Sequence, residues 1–150
     1  MDIRLAGPDD IPALLELRQR MYSDETIDEH LLHLHREINN HRMGDYPADV
    51  FIAVEEGRML GFIEVGFRSR AEGCDPNESV GFIETWYVVP ERQGNGVGHK
   101  LVSAAENWAR AHGRREMASI VWQHAERSQR AHEAMGYSMV DRFVNYRKAL

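Results

Sequence analysis

Residues 90–101 read PERQGNGVGHKL, and this stretch decides the fold. The stretch directly follows the apolar run VGFIETWYVV (80–89), which is typical of a strand, and its three glycines alternate with other residues. A helical pattern follows. The first turn of a helix has unpaired amides and a partial positive charge, and glycine leaves those amides open. The stretch therefore predicts a pyrophosphate cradle in residues 93–98; the alternative is a glycine-rich turn that binds nothing.

Two common phosphate-binding motifs do not fit this stretch. A P-loop ends in Gly-Lys-Ser/Thr, whereas here Gly98 is followed by His99 and Lys100. The dinucleotide fingerprint G-x-G-x-x-G begins directly after a strand, whereas here the spacing is G-x-G-x-G and PER intervenes. Arg92 and Gln93 are candidates for side-chain donors to the phosphate.

Hydrophobic spacing on both sides of the stretch predicts an alternation of strands and helices. This order predicts one mixed α/β sheet covered by helices, in a single domain that spans residues 1–150. The predicted elements are a strand at 2–6, a helix capped by Asp9 or Asp10 and running to about Met21, a helix at 27–41, a hairpin at 49–70, the strand 80–89, a helix ending at Gly113, a strand at 116–122, a helix at 126–136, and one or two closing strands in 137–150.

Composition excludes several classes of protein. Charged residues make up 28% and hydrophobic residues 43% of the chain, as in soluble globular proteins. No stretch is long enough for a membrane span, and MDIRLAGPDD lacks the features of a signal peptide. The lone Cys74 is expected to be structural and fits a reducing cytoplasm. The net charge of -6 argues against a nucleic-acid partner and is compatible with a cationic substrate.

The stretch YVVPERQGNGVGHKLV (87–102) resembles the acetyl-CoA-binding signature of the GNAT N-acetyltransferase superfamily. That signature is Gln/Arg-x-x-Gly-x-Gly/Ala after a strand that ends in proline. The strand, the following helix and the later HEAMGY (132–137) stand at the distances typical of the family. The resemblance implies the GNAT fold, a mixed and mostly antiparallel central sheet with a splayed strand pair, flanked by helices. It also implies acetyl-CoA as co-substrate.

The resemblance further implies where acetyl-CoA is held. Its pantetheine arm pairs with strand backbone, as a peptide adds to a sheet edge, and an amide near Val88 serves as the oxyanion donor. Ala125 stands where the family often has an asparagine on CoA, and Ser128 is the candidate replacement. The implied cofactor-binding residues are Tyr87, Val88, Val89, Arg92, Gln93, Gly94, Asn95, Gly96, Val97, Gly98, Ser128 and His132.

His132 is the first candidate catalytic residue. In direct transfer an amine attacks the thioester and CoA leaves as a thiolate, which an acid assists. Family members often place a tyrosine four residues before a glycine in the last part of the domain, and here that position is His132, four before Gly136. Histidine can donate a proton near neutral pH. The alternative is a packed or surface histidine on a short helix.

Glu84 is the second candidate catalytic residue. Strand alternation predicts that it shares a face with Phe82, Trp86 and Val88. A carboxylate on such a face must be paired or must have a raised pKa, because burial disfavours its charge. Glu84 is thus a candidate base acting through water, or an anchor for a substrate ammonium. The alternative is a solvated residue on an open sheet face.

Several segments resemble one branch of the superfamily more narrowly, the aminoglycoside 6'-N-acetyltransferases. They are MDIR, EGCD (72–75), GFIETWYVVP (81–90), GRREMAS (113–119), SQRAHEAMGY (128–137) and NYRK (145–148). The branch is commonly dimeric, so the resemblance implies a homodimer as well as a small cationic aminoglycoside as acceptor. The implied substrate-binding residues are Tyr22, packing on the drug, Glu84, the loop acids Glu72, Asp75 and Glu78, and the position of Ile120.

Ile120 departs from this branch, which has a drug-binding aspartate there. A second hypothesis is therefore acetyl transfer to another small amine or to a protein N-terminus. A third is a non-catalytic module that binds acetyl-CoA, because Ala125 departs from the family and the acid is uncertain. The helix at 27–41 carries several histidines, but no third ligand has zinc-like spacing, so a solvated face is expected and no metal.

Overall fold

The computed structural model describes residues 1–150. The six strands and four helices follow the predicted order, with one short strand added before the hairpin. They are β1 (Asp2–Leu5), α1 (Ile11–Met21), α2 (Ile27–Asn39), β2 (Arg42–Met43), β3 (Tyr46–Glu55), β4 (Arg58–Arg68), β5 (Val80–Val88), α3 (Val97–Ala111), β6 (Met117–Ser119) and α4 (Glu126–Ala134). None of the helices has both the length and the apolar character needed to cross a bilayer.

The sheet has the order β1-β3-β4-β5-β6, and β2 adds a short pairing to β3. All neighbours are antiparallel except β5 and β6, which run parallel. A parallel neighbour requires a crossover connection, and α3 supplies it between β5 and β6. The expected mixed, mostly antiparallel sheet with flanking helices is confirmed.

Each face of the sheet has its own apolar core. Leu101, Ala105 and Trp108 of α3 pack on one face against Ile63 and other strand residues. On the opposite face, α1 and α2 cover Val50, Ile52 and Phe62. The α2 helix begins at a capping box, in which the Glu29 amide donates to Thr26 Oγ1 at 3.2 Å and the Thr26 amide donates to Glu29 Oε2 at 2.8 Å. Such a cap stabilises a helix by ~1 kcal/mol.

The parallel pairing of β5 and β6 covers only three residue pairs and ends at Ile83 opposite Ser119. Beyond Ile83, β5 runs on to Val88 with β4 as its only strand partner. We call the place where the two strands part the fork. A bulge lies at the same point, because Thr85 pairs with Glu64 while Ile83 pairs with Val65, which leaves Glu84 as the extra residue.

The prediction of closing strands in residues 137–150 is wrong, and the strand predicted at 116–122 is shortened to β6. Residues 138–150 have no regular secondary structure. A strand needs a neighbour for its backbone groups, and alternating apolar residues indicate a buried face without supplying that neighbour. The large apolar side chains of the segment are accordingly exposed: Met139, Val140, Phe143, Val144, Tyr146 and Leu150.

Candidate active site

The glycine loop, residues 93–98, joins β5 to α3 through a short 3-10 turn at Pro90–Arg92. Gly94 and Gly96 have φ angles of 81° and 85°, in the left-handed region that favours glycine. A Cβ at either position would meet no atom within 4 Å, so the face of the loop is open. Gly96 is the N-cap of α3, and no side chain caps the helix there. The first amides of α3 are therefore free for an anion.

Gly98 has a different role from the other two glycines. A Cβ on Gly98 would lie 3.0 Å from Cζ2 and 3.2 Å from Nε1 of Trp86 on β5. The missing side chain thus lets the first turn of α3 pack closely on the strand, next to the buried Val97. This packing holds the free amides at a set distance from β5.

The polar side chains of the loop bind the protein itself. Arg92 forms an ion pair with Glu55 of β3, and Gln93 Nε2 donates to the carbonyl of Val88 at 2.9 Å. Asn95 is exposed. Because Arg92 and Gln93 are engaged in this way, the donors left for a phosphate are main-chain amides and the exposed side chain of Asn95.

The end of β5 leads directly into this loop. Tyr87 packs toward α1 and α2, with its ring centroid 6.2 Å from that of Phe62. The amide of Val89 donates to the carbonyl of Leu60 at 2.9 Å, so Val89 still belongs to the sheet. Val88 pairs with Gly61 on β4, whose missing side chain makes room for the carbonyl of Tyr87: a Cβ there would lie 2.4 Å from that oxygen.

His132 of α4 lies at the fork. Its Nδ1 is 2.7 Å from the carbonyl oxygen of Ser128, and its Nε2 is 2.9 Å from Ser119 Oγ. A carbonyl only accepts, so Nδ1 carries a proton, and in the neutral ring Nε2 accepts from the hydroxyl of Ser119. The ring also meets Trp86 edge-on, at 5.1 Å between centroids. His132 is therefore half-buried, and these contacts fix the orientation of its ring.

Sequence reasoning missed Ser119, although it is the last residue of β6 and stands at the fork. It belongs to the segment GRREMAS, whose resemblance to the branch gives no role to Ser119 itself. The signal that identifies Ser119 is its bond to His132, a contact between residues 13 apart. Such a contact depends on how α4 returns to the sheet.

Glu84 is paired. Arg68 of β4 donates to it through Nε and Nη2, at 3.0 Å to Oε1 and 2.9 Å to Oε2. The Arg68 guanidinium also lies 3.8 Å from the ring centroid of Phe82. The Arg68 side chain is 42% exposed, so the pair borders solvent. The carboxylate is therefore paired, as one of the two options for such a position requires.

The expectation that Glu84 shares a face with Trp86 and Val88 is wrong. Trp86 and Val88 pack in the α3 core, whereas Arg68 holds Glu84 on the face of α1 and α2. The bulge at Glu84 breaks the strand alternation on which that expectation rested. The bulge thus places two successive residues of β5, Glu84 and Thr85, on one face of the sheet and Trp86 on the other.

Tyr22, at the end of α1, is brought next to this part of β5. Its hydroxyl lies 3.0 Å from Thr85 Oγ1, one residue after Glu84. The Arg18 guanidinium lies 5.2 Å from the ring centroid of Tyr22. Burial raises the pKa of the Tyr22 hydroxyl, so this group stays protonated. Tyr22 thus lies at the residue that follows Glu84, and we call the place between the Tyr22 and Glu84 side chains the cleft.

The loop acids are placed away from that cleft within this chain. The Asp75 amide donates to Glu116 Oε1 at 2.8 Å, and Glu78 pairs with Arg115, both at the start of β6 rather than at the fork. Glu72 is exposed. Ile120, directly after Ser119, is 56% exposed and carries no charge toward a ligand.

The histidines of α2 have other partners or face solvent. His30 is fully buried and its Nε2 lies 3.2 Å from the carbonyl oxygen of Tyr22. His35 Nδ1 lies 2.9 Å from Asn39 Nδ2 on the same helix. Residues 1–150 contain no group of three side chains placed to hold a metal ion.

Comparison with known proteins agrees with this geometry. The profile of the acetyltransferase (GNAT) family matches residues 11–137. Among curated proteins, an aminoglycoside N(6')-acetyltransferase type 1 of Klebsiella aerogenes is 38% identical, over 99% of this chain and 96% of the relative. The protein of the same name from Stenotrophomonas maltophilia is 35% identical, over 99% and 93%.

Solved structures give the same result. The structure of AAC(6')-Iy in complex with the bisubstrate analogue CoA-S-monomethyl-acetylneamine superposes with a TM-score of 0.89 at 29% identity, covering 99% of this chain and 98% of that one. The similarity includes β5, the glycine loop and α4, since both chains are covered almost entirely. The chain therefore belongs to the acetyltransferase (GNAT) family.

Proposed function

We propose that this protein is an aminoglycoside 6'-N-acetyltransferase, which transfers the acetyl group of acetyl-CoA to an amine of a cationic aminoglycoside by direct attack. The observation that carries the proposal is the placement of two sites along β5. The open glycine loop follows the end of the strand, and the Tyr22–Glu84 cleft lies beside its bulge. The relatives described above carry this activity in their names and align along the whole chain.

The cofactor side is formed mainly by backbone. Acetyl-CoA supplies an acetyl group already activated as a thioester. The free amides at the start of α3, beginning with Val97, hold its diphosphate, and the open face at Gly94 and Gly96 lets the phosphates approach. The unpaired edge of β5 beyond the fork receives the pantetheine arm, and an amide near Val88 faces the acetyl oxygen.

Ser119 and His132 supply the proton that the departing sulfur needs. Ser119 donates its hydroxyl proton to the sulfur and takes a proton from Nε2 of a protonated His132 across their 2.9 Å contact. The Ser128 carbonyl keeps Nδ1 as the other donor, so the ring stays aligned during this transfer. Trp86 and Tyr137 pack edge-on against the ring and limit its rotation.

The acceptor side is formed by charge and by an aromatic face. The Tyr22 ring packs on a sugar ring, and Glu84 attracts an ammonium group. Arg68 already donates to both carboxylate oxygens of Glu84, so Glu84 does not act as the base. It anchors the substrate ammonium, and a water molecule takes the proton from that ammonium. Glu72, Asp75 and Glu78 lie away from the cleft and contribute to the acceptor only through the net charge of -6, and Ile120 adds no charge.

A thiol-release assay tests the acceptor. With acetyl-CoA present, kanamycin or tobramycin is expected to release CoA, because both are polycations with a 6'-amine. Polyamines and peptides serve as the comparison. Release with polyamines or peptides alone would favour another small amine or a protein N-terminus, which the neutral Ile120 keeps open. No release with any amine would indicate a module that only binds acetyl-CoA.

We also propose that the protein is a homodimer in solution. Large apolar side chains of residues 138–150 are exposed in the single chain, and the short β6 is an edge strand of the sheet. A second copy offers the same edge and the same segment, so the two surfaces can cover each other symmetrically.

A chain ending at Tyr137 is expected to be a monomer, because it lacks that segment. The measurement is light scattering after size exclusion, where the intact protein should have twice the 17.3 kDa of one chain. Lys148→Ala, within the segment but without loss of apolar surface, is the control and should stay dimeric. A monomeric intact protein would contradict the proposal.

We further infer a cytoplasmic location. Acetyl-CoA is made and used inside cells, so a transferase that consumes it works there. The single cysteine, Cys74, is a free thiol in the structure and agrees with a reducing compartment.

A further inference from the structure

Glu37 of α2 is an anomaly in the core. Its side chain is 1% exposed, and neither carboxyl oxygen has a hydrogen-bond donor. A buried charged group without a partner is very costly, and proteins rarely retain one without a reason. The proposed reaction does not use Glu37, so its presence requires another explanation.

The surroundings of Glu37 contain too little positive charge for it to ionise. The fully buried Glu64 of β4 is its neighbour, and Arg18 of α1, 3% exposed, already forms an ion pair with Glu64. Glu84 of β5 adds a further negative charge at longer range. Arg18 is the cation that faces Glu37, but Glu64 and Glu25 already pair with it. Glu84 pairs with Arg68 instead.

Protonation of Glu37 resolves the anomaly. Burial and the charge of Glu64 raise the pKa of Glu37 well above its ordinary value, and Arg18 only partly offsets this. A protonated carboxyl has one O–H donor, and Glu64 is the acceptor beside it. The Glu37 carboxyl, which lacks a donor, thereby becomes one half of a hydrogen-bonded acid–carboxylate pair with Glu64, and Arg18 lies on the other side of Glu64.

The pair is connected to the acceptor cleft through Tyr22. Arg18 Nε donates to Nδ1 of His30 at 3.2 Å. Nε2 of His30 faces the Tyr22 carbonyl at 3.2 Å, so this nitrogen carries the ring proton and donates. The Arg18 guanidinium also lies 5.2 Å from the Tyr22 ring centroid. His30 thus contacts the backbone of Tyr22 and Arg18 contacts its ring. Glu64 holds Arg18 directly, and Arg18 in turn holds His30.

We propose that Glu37 is a positioning residue for the acceptor site: its carboxylic acid donates to Glu64, which fixes Arg18 and His30 and so holds Tyr22 at the cleft. The role of Glu37 as a neutral acid is independent of the substrate, and only its effect on the acceptor rests on the proposed function. The two parts are tested by separate measurements.

The first measurement is thermal stability against pH. An unfolded Glu37 loses its proton near its ordinary pKa, whereas the folded protein keeps it, so wild-type stability falls as pH rises between these two values. Glu37→Gln keeps a donor and cannot ionise. Its melting temperature should exceed that of the wild type at pH 8, and the difference should vanish toward pH 4.5. Asp28→Asn, at an exposed acid of α2, should show no such trend.

The opposite trend would overturn the assignment. If Glu37→Gln lowers the melting temperature most at pH 8, Glu37 is ionised and contributes as a charge. This measurement needs no activity, so it stands even if aminoglycosides prove not to be the acceptor.

The second measurement is a double-mutant cycle on the KM for the acceptor amine that the thiol-release assay identifies. Glu37→Leu, which lacks the donor, should raise this KM about five- to tenfold, the size reached by coupled neighbours. Glu37→Gln should restore it, and the KM for acetyl-CoA should stay unchanged. Combining Glu37→Leu with Tyr22→Ala, which removes the ring, should raise the acceptor KM no further than the larger single change. Multiplying effects would show that Glu37 does not act through Tyr22.

Discussion

Gly96→Asp is expected to weaken acetyl-CoA binding about a hundredfold or more, the largest effect of any single change in the cofactor site. The new carboxylate would stand at the N-cap of α3 and accept from the free amides that the diphosphate needs. It would also repel the phosphates. Each charge-assisted bond lost is worth about 1.5–3 kcal/mol, and about 1.4 kcal/mol corresponds to a tenfold change in affinity.

Two matched variants separate the charge from the backbone strain. Gly96→Ala imposes the same left-handed strain, with φ at 85°, but adds no charge, and a Cβ there has open space. It should weaken binding far less. Gly44→Asp adds the same side chain at φ 60° in the turn between β2 and β3, at the other end of β3 from Glu55, the partner of Arg92, and should leave binding unchanged. Titration calorimetry with acetyl-CoA measures all three, and a Gly96→Asp protein that binds like wild type would refute the cradle.

Glu84→Gln is expected to lower kcat/KM for a polycationic amine at least about tenfold, a loss of ~1.4 kcal/mol of transition-state stabilisation. The amide keeps the shape of the side chain but removes the charge that attracts an ammonium group. Steady-state thiol release with varied amine measures the effect. The KM for acetyl-CoA is the internal control, because the cofactor site lies along the other part of β5. Unchanged kinetics would remove Glu84 from the site.

Arg68→Gln gives the matching test with the opposite sign. In the free protein the Arg68 guanidinium occupies the carboxylate oxygens of Glu84 and competes with a substrate ammonium for them. Replacing Arg68 should therefore lower the KM for the amine, whereas Glu84→Gln raises it. If both variants raise it alike, Arg68 orients Glu84 and does not compete.

The fold and the cofactor side could be predicted because their signals are local. A strand, a glycine loop and a helix that follow one another leave a continuous pattern in residues 80–111, and backbone amides do the binding whatever the side chains are. The glycines were predicted to leave the backbone open, and the space beside Gly94 and Gly96 is open. The packing role of Gly98 was not, because it depends on Trp86 lying against it.

The acceptor side could be predicted only as a list of residue types. Arg68, Ser119 and Glu37 act through partners far away in the chain, and nothing next to them in sequence identifies those partners. Arg18 has the appearance of a solvated helix residue, yet it is buried because Glu64 stands opposite. The bulge at Glu84 is one extra residue in a regular pattern, and it reversed the assignment of faces.

That bulge also bears on how such a protein can change over generations. On one side of it, the proposed acetyl-donor site uses main-chain groups of β5, which most point mutations cannot alter. On the other side, the proposed acceptor site consists of individual side chains from α1, β4 and β5. Selection can therefore alter the range of amines through replacements at positions such as Tyr22 and Arg68 while the acetyl-transfer machinery is inherited intact.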